Sequence, residues 1–225
     1  MALEVGSGTG YVITSAALLM AMTTSPRPHD DGSGETPMTT TTTTTSGGDS
    51  GNPAATAAGD ADDGGSGRQH RCYATDMNPD AVEATKATLE AHGVGGASAE
   101  VLQCDLFGPL KEKLRSEVDL LLFNPPYVLT PSEEVGRGGI AAAWAGGIDG
   151  REVLDRMLPD VGDMLSPGGT FLLLLLEQNK PKEVASILEA QGLTCKMMVR
   201  WRNAGGRGDE QPPSGAANSK GTLRA

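Results

Sequence analysis

The tetrapeptide Asn124-Pro125-Pro126-Tyr127 contains the side chains with the most specific chemistry in this sequence. The Asn124 side-chain oxygen can accept one hydrogen of a planar NH2 group, and the Pro125 carbonyl can accept the other. The Tyr127 ring can lie against the flat face of the same group. The tetrapeptide therefore predicts a site that holds a planar NH2 group. The alternative is a proline-stiffened corner that only turns the chain.

A strand must deliver this corner. The run Leu120 to Phe123 is entirely apolar and too short for a buried helix, which favours a strand covered on both faces. Pro125 disfavours helical backbone at Asn124, so the chain leaves the strand as a stiff, extended segment. We expect Asn124 at the carboxyl end of a buried strand.

A glycine-rich loop lies near the start of the chain. Residues Ala2 to Val5 are predicted to form a strand, residues 12–22 an apolar helix, and Gly6-Ser7-Gly8-Thr9-Gly10 the loop between them. Glycines let the backbone approach a ligand closely, and a helix start offers unpaired N–H groups. The spacing G-x-G-x-G is weak evidence alone, and a turn without a ligand is the alternative.

Two acidic residues follow the next predicted strands. Asp76 is predicted to accept hydrogen bonds from the hydroxyls of a ribose, and Asp105 from the exocyclic amine of a purine, with Leu106 packed against the ring. The alternatives are a helix-capping Asp76 and a solvated Asp105. Four parallel strands would bring the glycine loop, Asp76, Asp105 and Asn124 to the sheet edge where such folds bind ligands.

Composition divides the chain into four parts. Residues 1–22 begin an α/β domain, residues 23–67 form a low-complexity insertion, residues 68–202 complete the domain, and residues 203–225 form a polar, flexible tail. The insertion has almost no large apolar residue, so we expect it to be disordered. Without it, Asp76 follows Gly10 at roughly the 20-residue interval of nucleotide-binding α/β units.

Charge and cysteine content limit the possible partners and compartments. The formal net charge of −11 argues against a surface that attracts nucleic acid. The three cysteines lack a C-x-x-C pair, and neither they nor the histidines have metal-ligand spacing, so no metal site is predicted. The sequence lacks a membrane span and a basic signal-peptide start. We expect a cytoplasmic protein, with the nucleus as a second location.

These motifs together resemble the class I methyltransferases that use S-adenosylmethionine: E-V-G-S-G-T-G, Asp76, Asp105-Leu106 and N-P-P-Y. The stretch G-I-A-A-A-W-A-G-G-I-D-G-R-E-V-L-D-R after the corner is similar to the HemK-type glutamine methyltransferases, in the eukaryotic and archaeal branch that acts on class 1 release factors. The resemblance runs from Ala2 to Trp201, apart from the insertion. It implies a Rossmann-like α/β fold, with a mostly parallel sheet and helices on both faces.

The resemblance also implies a role for each candidate residue. The residues implied for S-adenosylmethionine are Glu4, Gly6, Ser7, Gly8, Gly10, Asp76, Asp105, Leu106 and Asn124, and those implied for catalysis are Asn124, Pro125 and Tyr127. Glu4 and the loop would hold the carboxyl-bearing end of the donor, Asp76 its ribose, and Asp105 with Leu106 its adenine. Asn124 and Pro125 would hold the substrate glutamine amide. Members of the family commonly work with a small zinc-binding activator subunit.

Two departures from the family pattern keep other functions open. Met1 directly precedes the first strand, where the family has a segment that closes over the cofactor. Residues 203–225 do not resemble the family's seventh strand, so we expect the last strand to be missing. The alternatives to a release factor glutamine methyltransferase are an adenine-amine methyltransferase acting on DNA or RNA, and a truncated, inactive module of the same fold.

Overall fold

The computed structural model describes residues 1–24, 71–137, 142–201 and 220–224. The chain divides into two units, one formed by residues 1–24 and 69–225 and the other by residues 25–68. The second unit lies outside the described residues, and with it nearly all of the predicted insertion, whose disorder stays a prediction. Thr23 and Thr24 belong to the first helix.

From the first strand to the fourth α-helix, strands and helices alternate along the described part of the first unit. The strands are β1 (Ala2–Val5), β2 (Cys72–Asp76), β3 (Ala99–Gln103), β4 (Val118–Phe123), β5 (Leu165–Leu176), β6 (Lys196–Trp201) and β7 (Lys220–Arg224). The α-helices are α1 (Tyr11–Thr24), α2 (Pro79–Ala91), α3 (Leu110–Lys113), α4 (Glu152–Met157), α5 (Val161–Met164) and α6 (Pro181–Glu189). None of the described helices is long and apolar enough to cross a membrane.

The strands form one mixed sheet in the order β3-β2-β1-β4-β5-β7-β6. Strands β1 to β5 pair in parallel, and β7 runs antiparallel to both of its neighbours. Val5 of β1 lies opposite Thr75 of β2 and Phe123 of β4. The next residues along the chain, Gly6, Asp76 and Asn124, therefore lie at one level of the same edge of the sheet. The predicted Rossmann-like α/β fold is confirmed.

The prediction that the last strand is missing was wrong. Residues 220–224 form β7, which pairs with β5 through Leu173 and Leu223 and with β6 through Val199 and Thr222. The sequence K-G-T-L-R contains one large apolar residue and a glycine, so it lacks the pattern of a strand. Hydrogen bonds to the backbones of β5 and β6 stabilise this strand, although its side-chain pattern does not indicate one. The predicted flexible tail is therefore wrong for residues 220–224, while residues 202–219 lie outside the described part.

The two faces of the sheet carry separate apolar cores, as expected for helices on both faces. Ala2 of β1 packs with Ile13 and Ala17 of α1 and with Leu89 of α2. On the opposite face, the larger core combines residues of the central strands with residues of α3 to α6. Its most buried members include Leu3, Leu121, Phe171, Leu110, Leu154, Met164 and Leu188. Strands covered on both faces position their carboxyl ends rigidly, which is what a binding site at that edge requires.

Candidate active site

A cavity of about 300 Å³ opens at the carboxyl edge of the parallel strands. Its volume lies at the lower end of the range typical of small-molecule sites. The residues predicted from sequence that line it are Gly6, Gly8, Asp76, Asp105, Leu106 and Asn124. The four chain segments that contain them are thus brought together as expected. Glu4, Ser7, Gly10, Pro125 and Tyr127 are not among its lining residues.

Ser7 and Gly10 fix the glycine loop against helix α2. The Ser7 hydroxyl lies 2.8 Å from the Thr85 hydroxyl, and the Ser7 N–H donates to the Thr75 carbonyl at 3.0 Å. A Cβ at Gly10 would lie 2.7 Å from the Thr85 Cα, so only glycine permits this close approach. Gly8 differs, because a Cβ there would meet nothing within 4 Å. The loop therefore opens onto the cavity at Gly8 and packs on the protein at Gly10.

Asp76 is held in place by two backbone amides. Its Oδ2 accepts from the Gly8 N–H at 3.0 Å, and its Oδ1 accepts from the Asn78 N–H at 2.9 Å. The start of α2 is capped instead by Asn78, whose Oδ1 accepts from the Asp80 N–H at 3.0 Å. Because each carboxylate oxygen has two lone pairs and Asp76 lines the cavity, Asp76 keeps acceptor capacity for a ligand.

Glu4 anchors the first turn of α1 from beneath the loop. Its side chain is 4% exposed, and its Oε2 accepts from the Ile13 N–H at 2.9 Å. Burial raises the pKa of Glu4 to about 7; the Ile13 hydrogen bond lowers it, and the charge of Asp76 raises it further. This geometry gives Glu4 a structural role at the helix start. Its predicted contact with the cofactor stays a prediction.

Arg156 was missed by the sequence reasoning. It lines the cavity beside Asp105, and its guanidinium forms an ion pair with the Asp105 carboxylate. The available signal was helical spacing, since Val153 and Arg156 lie three residues apart on α4 and both line the cavity. Leu106 has a left-handed backbone with φ of 49°, and its carbonyl accepts from the Thr75 hydroxyl at 2.8 Å.

The Asn124 corner leaves β4 at the cavity wall. Asn124 is exposed and lines the cavity together with Pro126, while Pro125 is buried. Tyr127 is half-buried, and its carbonyl accepts from the Asn179 side chain at 2.9 Å. The corner thus presents the Asn124 amide to the space that Gly8 and Asp76 also face.

The segment from residue 144 to residue 152 packs against the corner. The Val128 N–H donates to the Trp144 carbonyl at 3.0 Å, and the Gly146 N–H donates to the Val128 carbonyl at 2.8 Å. Arg151 is 7% exposed and donates to the Glu183 carboxylate of α6 at 2.8 Å. These contacts attach the corner to the fold from behind.

Among the described residues, no group of three or more His, Cys, Asp and Glu side chains could hold a metal ion. Cys104 lines the cavity, and burial raises the pKa of its thiol, with the Asp105 charge acting in the same direction. The side chains that line the described part of the cavity wall include two carboxylates, two amides and the guanidinium of Arg156.

The sheet order and the cavity at its carboxyl edge define a class I methyltransferase-like fold. A solved structure with this fold is the E. cuniculi Mtq2-Trm112 complex, which is responsible for the methylation of the eRF1 translation termination factor. The match has a TM-score of 0.51 and 19% sequence identity, and it covers 99% of this chain and 82% of that chain. At this identity the likeness establishes the fold alone.

The chain is also similar in sequence to several methyltransferases. Methyltransferase HEMK2 of Homo sapiens is 46% identical over 127 residues, which are 56% of this chain and 58% of that protein. The eRF1 methyltransferase catalytic subunit mtq2 of Schizosaccharomyces pombe is 39% identical over 95 residues, 41% of each protein. The release factor glutamine methyltransferase of Aquifex aeolicus is 32% identical over 123 residues, 52% of this chain and 41% of that protein.

The chain is thus similar in sequence to HemK-type class I methyltransferases, which confirms the resemblance in its motifs. No family model matches the sequence. The chain spans about half the length of the curated relatives it matches.

Proposed function

We propose that this chain transfers a methyl group from S-adenosylmethionine to the side-chain amide nitrogen of a glutamine in a class 1 peptide chain release factor. The observation that carries the proposal is the position of the Asn124 corner. Asn124 lines the same cavity as Gly6, Gly8 and Asp76, so one space borders both a nucleoside-type site and a group suited to an amide.

The residues around the cavity fit the donor. Gly8 leaves open space where other residues carry a Cβ, which suits close approach of a ligand to the loop backbone. Asp76 retains acceptor capacity for ribose hydroxyls, and Leu106 with Phe123 adds apolar wall for a purine. When bound, S-adenosylmethionine supplies a methyl group on a positively charged sulfonium.

The corner residues are assigned to the substrate amide. Asn124 Oδ1, at the cavity wall, accepts one N–H of the glutamine NH2 group. The family resemblance assigns the other N–H to the carbonyl of Pro125, which is buried next to Asn124 and outside the cavity lining. Both bonds orient the same nitrogen and hold its two protons, one of which the nitrogen must release when it gains the methyl group. The family resemblance assigns Tyr127, which is half-buried and outside the cavity lining, to packing against the flat face of the amide.

Positioning is the main source of rate in this proposal. Holding two reactants in line can contribute roughly 7 to 11 kcal/mol in well-aligned cases. Asp76 and the glycine loop are fixed by backbone hydrogen bonds, and the corner by the Asn179 side chain. The chain's own contribution is therefore to place two bound groups against each other in one cavity.

The protein substrate is supported by the relatives and by charge. The S. pombe relative is named as an eRF1 methyltransferase subunit, and the A. aeolicus relative as a release factor glutamine methyltransferase. The adenine alternative requires binding to a polyanion, which the formal net charge of −11 disfavours. A glutamine in a release factor is the substrate that agrees with both.

A small activator subunit is part of the proposal. Its support is the Mtq2-Trm112 complex among the similar structures and the words "catalytic subunit" in the name of the S. pombe relative. Large apolar side chains of this chain remain exposed, including Leu19 at 63% and Met22 at 74%, and a partner would cover such surface. That the subunit binds zinc follows from the family resemblance alone.

The test is transfer of a labelled methyl group from S-adenosylmethionine to three acceptors: a class 1 release factor, the same factor with its target glutamine replaced by alanine, and adenine-containing DNA. Each is assayed with and without a Trm112-type subunit. We expect label on the intact release factor only, on the glutamine side chain by mass spectrometry. Label on DNA but not on the release factor would favour the adenine alternative, and no transfer with donor binding would favour the inactive module.

A further inference from the structure

Asn179 is fully buried, and its side chain forms a hydrogen bond with the corner formed by residues 124–127. It follows the carboxyl end of β5, and its exposed fraction is 0%. Its Nδ2 donates to the Tyr127 carbonyl and to the Asp149 carbonyl, each at 2.9 Å. Its Oδ1 accepts from the Leu176 N–H at 2.7 Å. One side-chain amide therefore joins β5, the corner after β4 and the turn at Asp149.

The corner needs such support because it cannot form an ordinary strand ladder. Pro125 and Pro126 have no backbone N–H, and residues 124–127 belong to no regular element. The backbone of the parallel sheet ends one residue earlier, where Phe123 lies opposite Val5 and Leu173. After the two prolines, the hydrogen bond from Asn179 to the Tyr127 carbonyl fixes the position of the chain again.

The glycines at 146 and 150 show how tightly this arrangement closes. A Cβ at Gly150 would contact the Tyr127 carbonyl oxygen and would lie 2.5 Å from Asn179 Nδ2. A Cβ at Gly146 would lie 2.5 Å from the Pro126 carbonyl oxygen. The backbone of this turn thus packs closely against the corner, and the Asn179 side chain forms a hydrogen bond with the corner backbone. Small displacements of this turn would be transmitted to the corner backbone.

We propose that Asn179 is a positioning residue for methyl transfer, which fixes the orientation of the Asn124 corner through the Tyr127 carbonyl. The proposal rests on the proposed function. Asn179 does not line the cavity, so it acts through the corner and not on donor or substrate. Asn is suited to the place because its amide supplies a donor for the carbonyls of Tyr127 and Asp149 and an acceptor for the Leu176 N–H.

Two substitutions separate the parts of this role. Asn179→Ala removes both the donor and the acceptor, leaving buried carbonyls and an N–H without this partner. Asn179→Asp keeps the acceptor and the volume but turns oxygen toward the Tyr127 and Asp149 carbonyls, which have only lone pairs to offer. We expect both to lower kcat at least tenfold while the Kd for S-adenosylmethionine stays within about twofold.

The matched control is Gln191, a second side-chain amide that bridges two backbone positions. Its Nε2 donates to the Leu158 carbonyl at 2.9 Å, and its Oε1 accepts from the Gly162 N–H at 2.9 Å, both remote from the corner. Gln191→Ala should lower the melting temperature without lowering kcat. All variants are assayed at a temperature at which melting curves show that they are folded.

A second readout does not depend on activity. Hydrogen exchange of a peptide spanning residues 120–130 should accelerate at least tenfold at the Tyr127 and Val128 amides in Asn179→Ala, with no change in β2 or in the Gln191 variant. Faster exchange with unchanged kcat, or unchanged exchange and kcat in a folded variant, overturns the inference. An inactive wild type with faster exchange in the variant contradicts the proposed function but keeps the structural role of Asn179.

Discussion

The Asp76 carboxylate accepts a hydrogen bond from the Gly8 N–H at 3.0 Å, so the end of β2 and the glycine loop after β1 form one unit. The same carboxylate accepts from the Asn78 N–H at 2.9 Å. A ligand that binds Asp76 therefore meets a side chain already oriented by two backbone amides. This relationship connects the binding of a ribose to the shape of the loop around the rest of the donor.

Replacing Asp76 should lower the affinity for the methyl donor more than it lowers the stability of the fold. We expect Asp76→Ala to reduce the affinity for S-adenosylmethionine by roughly 1.5 to 3 kcal/mol, the range for hydrogen bonds to a charged group. Titration calorimetry measures it. Asp80→Ala is the control, because Asp80 is an exposed acid in the first turn of α2 outside the cavity lining. Equal affinity of the Asp76 and Asp80 variants would show that Asp76 does not face the ribose.

Asp105 and Arg156 should act on the donor as a pair. Their side chains are 50% and 55% exposed, so the ion pair adds little to folding stability. Because both residues line the cavity, we expect Asp105→Ala and Arg156→Gln each to reduce the binding affinity for the donor by about 1.4 kcal/mol, or tenfold. The double variant should lose much less than the sum, since either substitution already breaks the pair. Strictly additive losses in calorimetry would mean that the two residues act separately.

Glu4 should make folding stability fall as the pH rises. Its pKa is raised from 4.5 to about 7 in the folded state, so between these values the folded protein keeps a proton that the unfolded chain releases. The favourable contribution is present below about pH 4.5 and is lost as the pH rises through 7. Over this interval, the unfolding free energy of the wild type should fall by roughly 3 kcal/mol relative to Glu4→Gln. Urea unfolding at several pH values measures the difference, and parallel curves would contradict it.

Glycine should be required at position 10 for two reasons: its left-handed backbone conformation and its close packing against Thr85 of α2. Its φ is +74°, and a Cβ would lie 2.7 Å from the Thr85 Cα. Gly93 has a φ of +70° with nothing within 4 Å of a Cβ, so Gly93→Ala measures the cost of conformation alone. We expect Gly10→Ala to cost about 1 to 3 kcal/mol more than Gly93→Ala in the free energy of unfolding. Equal costs would show that the loop can move away from α2.

Local pattern was sufficient for the parts of the site that end strands. Gly6, Asp76 and Asn124 each follow a short predicted strand, and parallel pairing then places them at one edge. Asn179 also follows such a strand, but its partners Tyr127 and Asp149 lie far away in sequence, and no local pattern indicates that they meet. The predicted location in the cytoplasm stays a prediction.

The remaining misses have the same physical origin. Arg156 belongs to a helix whose approach to Asp105 depends on the packing of α4 against the sheet. Strand β7 is held by the backbones of β5 and β6, so its own side chains need not follow a strand pattern. Sequence therefore predicted the ends of buried strands and missed contacts created when distant elements pack.

The central claim is that Asn124 acts on the substrate amide at a cavity that holds the methyl donor. Single-turnover transfer of a labelled methyl group to a release factor, measured together with donor affinity for the wild type and Asn124→Ala, tests it most directly. The proposed mechanism predicts a loss of about 100-fold or more in the transfer rate, comparable to removing one transition-state hydrogen bond, with donor affinity reduced only modestly. A variant that binds the donor and transfers the methyl group at the wild-type rate would contradict the claim.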